Sequence, residues 1–260
     1  MKILERGVCR LSVVPVRKES KDVAEQVTQL VFGDHYSITK KSKNGKWLCI
    51  ENAFDGYVGW IDAKQHHPIS EEYFDQINMS VYKVSLELVS SILYKKKPLH
   101  IVLGSILPLS NNELFKMEEQ LAFNGESKSL GQKREFEFVK KIAKMYLGAP
   151  YQWGGRSPFG IDCSGFSQMV YKICGYSLPR DASQQELQGH AVHYSERLPG
   201  DLAFFGEPGA ITHVGIVLED SDIIHASGVV KIELLNADGI WDGNSTTHPL
   251  VSIKRFLVDG

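Results

Sequence analysis

The spacing of apolar residues changes character once, across residues 124–133 (NGESKSLGQK), and that change limits the fold more than any other feature of the chain. Before it, short β-type runs alternate with polar turns: LSVVPVR, QVTQLVFGD, HYSITKK, KWLCIEN and GYVGWID, up to Asp62. Gly33-Asp34, Asn44-Gly45 and Asp55-Gly56 separate these runs, where residues tolerant of positive φ are expected. The pattern predicts a small all-β barrel over residues 1–65. Residues 66–78 are polar with one proline and read as a connector. β-type spacing resumes in HIVLGSILPL and ELFKMEEQLAF, a strand, glycine, strand rhythm that predicts a second, degenerate β domain over residues 79–127. After residue 133 the period becomes helical, with Phe136, Val139, Ile142, Ala143 and Tyr146 on one face and Gly148 and Pro150 as the stop. A second helix is predicted from about Asp162, with Phe166, Met169, Val170 and Ile173 on one face and Gly175 ending it. LAFF, THVGIVL, DIIHASG and VKIELL then read as strands, and GIWDGNSTTH (residues 239–248) as an exposed loop. Helices first and strands afterwards predict an α+β domain over residues 131–260.

Charge and cysteine usage exclude several kinds of function. The formal net charge is −2 with the signs interspersed, so nothing attracts the chain to nucleic acid or an anionic membrane. No stretch reaches the ~18 apolar residues of a membrane helix. The first twenty residues carry Lys2, Glu5, Arg6, Arg10 and Arg17 rather than a continuous apolar core, so the sequence as given reads as cytoplasmic. Cys9, Cys49, Cys163 and Cys174 are far apart and form no CxxC pair, which argues against a disulfide framework or a metal site. No cofactor is expected.

Cys163 differs from the other three because it opens a predicted helix just after a glycine-rich loop. A helix N-terminus favours thiolate over thiol, and its unpaired N–H groups can hold a developing oxyanion. Asp162 works against the first effect, so it calls for another role: capping the helix or binding a substrate cation. The plain alternative for Cys163 is a small buried apolar residue. His213 and His225 lie in neighbouring strand-like segments. If those form a hairpin, the two rings share a face only when paired residue numbers sum to an even value, which requires an odd loop such as residues 218–222, with Gly215 opposite His225. An even loop would place the rings on opposite faces. With a shared face, the three residues fit nucleophile, base and orienting group.

DCSGF at residues 162–166, preceded by PYQWGG and followed by LPRDASQQ, LPGDLAFF, HVGIVL and IIHASG, resembles the NlpC-type family of papain-like cell-wall cysteine peptidases. The likeness spans residues 138–227. VTQLVFGD and DGYVGWID resemble the bacterial SH3-type barrels of its γ-D-glutamyl-L-diamino acid endopeptidase (dipeptidyl-peptidase VI-like) subgroup. The resemblance implies that Cys163 attacks the scissile carbonyl, His213 is general base and acid, and His225 orients His213. It implies that the Tyr151 hydroxyl helps the Cys163 N–H hold the oxyanion. The subgroup holds a free N-terminal L-Ala and cuts after γ-linked D-Glu, releasing the diamino acid, meso-diaminopimelate or L-Lys. By the same resemblance Asp162 and Ser164 suit the ammonium, as do Glu25 and Tyr57 in the barrel, with Asp22 and Glu19 as substitutes for Glu25. Asp181 and Ala182 fall where the family lines the D-Glu subsite. Trp153 joins the substrate-binding set, its alternative being ordinary loop packing. Murein stem peptides, taken back for recycling, are the expected partner. The rival readings are a non-catalytic cell-wall peptide-binding protein and an acyltransferase or amidase acting on another γ-linked amide.

Overall fold

Val14 and Val16 are buried while Val13, Pro15 and Arg17 are partly exposed, the alternation of a strand with one face on a core. We describe a computed structural model of the chain, which covers residues 2–79, 82–107 and 121–257. Strands Val13–Arg17, Gln26–Val31, His35–Lys41, Trp47–Asn52 and Val58–Asp62 form where the sequence predicts them. With Glu5–Val8 and His67–Ile69 they make an antiparallel seven-stranded sheet around Cys9, Val14, Val16, Leu30, Tyr36, Ile38, Leu48, Ile50 and Ile61. Gly33, Gly45 and Gly56 all take positive φ at the predicted turns.

The predicted connector is more ordered than its polarity suggests. His67–Ile69 pairs with Glu5–Val8, and residues Glu71–Met79 form a helix. The Ser70 hydroxyl accepts the Tyr73 N–H at 3.1 Å, and Phe74 and Ile77 turn inward four and seven residues after it. The second β region is a pair of three-stranded sheets rather than one continuous sheet. Its core takes Phe32, from the turn after strand Gln26–Val31, beside Ile92, Ile101 and Leu107. Lys95 and Lys96 both adopt positive φ between paired strands, a tight turn made without the usual Asn or Gly. Strand Ser127–Ser129 extends this region beyond residue 127, and most of ELFKMEEQLAF (residues 113–120) lies outside the described residues.

The chain folds as two compact units, Met1–Gln132 with Trp153–Pro158, and Lys133–Gln152 with Phe159–Gly260. The second is the α+β unit. Helix Phe136–Met145 ends at Tyr146, and Gly148 follows with φ 82°. Helix Cys163–Ile173 is buried along its whole length and packs on strands Ala210–Val217 and Asp222–Ser227. A seven-stranded antiparallel sheet follows, and Gly239–Trp241 pairs with both Val229–Asn236 and Thr246–Arg255, closing six of its strands into a barrel. Residues 239–248 are therefore a hairpin and not the expected loop. Asp242 accepts the Asn244 and Ser245 N–H groups at 2.8 and 2.9 Å, which makes the reversal locally self-sufficient.

The start of the buried helix is held by LPRDASQQ. Asp162 caps it, its Oδ1 accepting the Gly165 N–H at 2.7 Å. Arg180 grips both oxygens of that carboxylate, at 3.0 and 2.6 Å, and donates to the Ser164 hydroxyl at 2.9 Å. A short helix, Ala182–Glu186, which the sequence reading did not anticipate, then presents Gln185. The Gln185 amide donates to the Ser164 and Pro179 carbonyls at 3.0 and 2.8 Å and accepts from the Ser167 hydroxyl at 2.7 Å. Substituting Arg180 alone removes the guanidinium that balances the buried Asp162 charge. Arg180→Met should therefore lower the unfolding free energy by roughly 3–5 kcal/mol. Urea denaturation followed by circular dichroism checks this, and Asp162→Asn in the same chain should recover much of the loss.

Candidate active site

The register of the hairpin decides whether the two histidines can cooperate. Gly215 pairs with His225, Ile216 with Ile224 and Val217 with Ile223, leaving five residues, 218–222, between the last pair. The loop is odd, so His213 and His225 share a face. Asp220 and Ser221 take positive φ in it. A Cβ on Gly215 would lie 2.7 Å from the Ile223 side chain and 3.0 Å from the His225 Cβ, so only glycine leaves His225 its place. His213 Nε2 meets His225 Nδ1 at 2.8 Å, with the rings nearly perpendicular.

Cys163 reaches the same strand from the helix side. The Val214 N–H, next to His213 in sequence, and the Ser164 N–H both donate to its sulfur and favour the thiolate. Tyr151 lies near enough for the charge of a Cys163 thiolate to raise its own pKa. Cys163, His213, His225 and Tyr151 thus come together in one unit of the chain.

Comparison with known proteins gives this arrangement a family. The NlpC/P60 family profile matches residues 148–247, and the bacterial dipeptidyl-peptidase SH3 domain profile matches residues 16–65. A γ-D-glutamyl-L-lysine dipeptidyl-peptidase from Bacillus cereus is 31% identical over 244 residues, covering 82% of this chain and 71% of that protein. The chain belongs to the NlpC/P60 family. A Bacillus subtilis protein of the same name is 29% identical over 229 residues, covering 80% of this chain and 75% of that one. The solved structure of an NlpC/P60 family protein from Bacillus cereus shares the fold, with TM-score 0.81 at 21% identity over 97% of this chain and all of that one. This chain is an NlpC/P60 cysteine peptidase with an N-terminal bacterial SH3 region.

The ionisation of the peptidase's dyad differs from what a helix start alone would give. Burial, and after it the charge of Asp162, push the Cys163 thiol up to about 11, against the Val214 and Ser164 donors and Arg180. Burial drives His213 well below its ordinary value, helped by His225 and His248. Both shifts run against a preformed thiolate–imidazolium pair. Tyr151, raised to about 12 chiefly by burial, keeps its proton and remains a donor.

The other expected site residues fall in varied surroundings. Asp162 caps the helix and has its charge matched by Arg180; Ser164 lies under the same guanidinium. Asp181 is the N-cap residue of the short helix and Ala182 its first, buried residue. In the N-terminal unit, Glu25 accepts the Trp153 indole N–H at 2.8 Å and pairs with Lys18 at 3.3 Å. Trp153 itself is 61% exposed, which removes core packing as its role. The Tyr57 N–H donates to Asp55 at 3.0 Å, and the ring is partly exposed.

Two groups of the site went unread in the sequence. His248, in the closing hairpin, lies with its ring centroid 4.3 Å from that of His213, and its Nδ1 is 2.8 Å from the Thr247 hydroxyl. Glu233 meets His225 Nε2 at 2.8 Å. The even spacing of 225, 231 and 233 around a tight reversal was the available signal. Among the described residues no group of His, Cys, Asp or Glu side chains is placed to hold a metal.

A thiol poised at about 11 gives a direct test. The rate of Cys163 alkylation by iodoacetamide should climb about tenfold per pH unit through the neutral range, since only the thiolate reacts. A rate already level between pH 5 and 8 would instead mean a preformed thiolate–imidazolium pair.

Proposed function

We propose that this peptidase hydrolyses the γ-D-glutamyl to diamino acid bond of murein peptides whose N-terminal L-Ala is free. The observation that carries the reading is the alignment with two γ-D-glutamyl-L-lysine dipeptidyl-peptidases over some four-fifths of the chain, so that the likeness is not confined to the catalytic unit. The SH3 profile, described from bacterial dipeptidyl-peptidases, agrees with it.

The chemistry follows from the dyad. Cys163 gives its proton to His213 and its sulfur adds to the γ-carbonyl of D-Glu. The backbone N–H at the helix start and the Tyr151 hydroxyl hold the tetrahedral oxyanion. Collapse breaks the C–N bond, and His213 returns its proton to the departing amine of the diamino acid. Water, deprotonated by His213, then splits the thioester and frees L-Ala-γ-D-Glu. The D-Glu α-carboxylate is assigned to the Asp181–Ala182 turn that opens the short helix.

A peptidase that counts two residues from a free amine acts on released peptides and spares stems whose L-Ala is still joined to glycan. We place it, on that ground, in cytoplasmic recycling of cell-wall peptides. The test uses L-Ala-γ-D-Glu-meso-diaminopimelate, its L-Lys counterpart and the N-acetylated forms. Wild type should release dipeptide from the free-amine substrates alone, and Cys163→Ala should lower kcat by on the order of 10⁴-fold or more. Cleavage of the acetylated peptides would contradict the free-amine requirement. Binding without cleavage by wild type would favour a peptide-binding role, and a product heavier by an added amine instead of water would favour a transferase.

A further inference from the structure

The peptidase's dyad is continued by a second hydrogen-bonded pair that nothing in the family match assigns. His213 Nε2 meets His225 Nδ1, and His225 Nε2 meets Glu233 Oε2, each at 2.8 Å. Lys231 donates to the other oxygen, Glu233 Oε1, at 2.8 Å. The sheet register makes this possible: Lys231 pairs with His225 and Glu233 with Ile223, so all three polar side chains lie on the face that carries His213. His225 is fully buried and the Glu233 side chain is only 13% exposed.

We infer that Glu233 is a positioning residue that sets the tautomer of the catalytic base from two links away. An ionised carboxylate can only accept, so the proton of neutral His225 must sit on Nε2. His225 Nδ1 is then a lone pair, and it can only accept from an N–H on His213 Nε2. That leaves His213 Nδ1 unprotonated, the nitrogen free to take the Cys163 proton. Without the carboxylate, His225 can carry its proton on Nδ1 and donate it to His213 Nε2. His213 would then hold its proton on Nδ1 and have no base to offer the thiol. The same logic holds a serine-protease histidine in its working tautomer through an aspartate. Here an imidazole is interposed, and the glutamate acts through it. The inference rests on the Cys163–His213 assignment and not on the identity of the substrate.

The charges around the chain are consistent with this assignment. Lys231 and His225 hold the Glu233 carboxyl below the usual range despite the opposing effect of burial, so it is ionised at neutral pH. Burial keeps His225 neutral down to about 4, outweighing the pull of Glu233. His248, from the closing hairpin, faces both rings, with its centroid 4.3 Å from that of His213 and 5.7 Å from that of His225; burial depresses its own pKa. Near neutral pH, then, none of the three imidazoles need be charged, and the direction of the N–H bonds is the only variable left.

The experiment is nitrogen NMR of the full chain labelled with ¹⁵N-histidine, near pH 7.5 without substrate, for wild type and Glu233→Gln, beside steady-state kinetics on the free-amine tripeptide. In wild type both His213 and His225 should show a protonated Nε2 and an unprotonated Nδ1. In Glu233→Gln the His213 signals should move toward protonated Nδ1, with kcat falling about 10- to 100-fold and KM changing less than about threefold. A purely structural role would change the melting temperature and leave the tautomer alone. Wild type with His213 protonated on Nδ1 overturns the inference even if the variant does not fold, and so does a folded variant with wild-type tautomers and kcat. Because the tautomer is read in the resting enzyme, failure of the tripeptide as substrate would count against the proposed specificity and not against this role.

Discussion

A buried bidentate ion pair, Arg180 with Asp162, sets where the nucleophile can be. The carboxylate caps the helix that Cys163 opens, and the guanidinium both satisfies that carboxylate and reaches the Ser164 hydroxyl. Gln185 fixes the same turn through the Ser164 carbonyl and the Ser167 hydroxyl. A carboxylate beside a reactive sulfur raises the cost of a thiolate. Arg180 offsets part of that cost, and burial adds to what remains. The helix start is therefore built for position first. In the proposed mechanism its acidity is left to the moment of attack, when His213 accepts the proton.

The sheet supplies the other half of the constraint. A five-residue loop, a glycine opposite His225 and closure of six strands into a barrel put His213, His225, Glu233 and His248 near one another, although the last two lie far from the nucleophile in sequence. Strand pairing converts parity into chemistry here. Shifting the hairpin by one residue would turn His225 to the opposite face and separate it from His213.

Much of this was legible in the sequence because it is local. Helix periodicity around Phe136 and Cys163 and the glycine turns of the SH3 strands each depend on a few neighbouring residues; for His213 and His225 the sequence supplied only the condition, an odd loop, that the register then met. What was not legible depends on long-range pairing. The 66–78 segment looked like a connector because its burial comes only from docking Phe74 and Ile77, and residues 239–248 looked like a loop because their partners are strands elsewhere in the barrel. The acidity of Cys163 shows the same division: the helix terminus and the opposing Asp162 are visible in the sequence, whereas the depth of burial that raises the thiol is not. Arg180 stood in the recognised LPRD motif, but its partner Asp162 could be named only from the fold.

The central claim is that Cys163, alone among four buried cysteines, is a nucleophile, and that His213 makes it one. The most direct measurement is intact-protein mass spectrometry with peptide mapping after treatment with an L-Ala-γ-D-Glu chloromethyl ketone. The account predicts a single adduct on Cys163, strongly slowed in His213→Ala and absent from Cys9, Cys49 and Cys174. An adduct on any other cysteine, or labelling of Cys163 at an unchanged rate without His213, would contradict it.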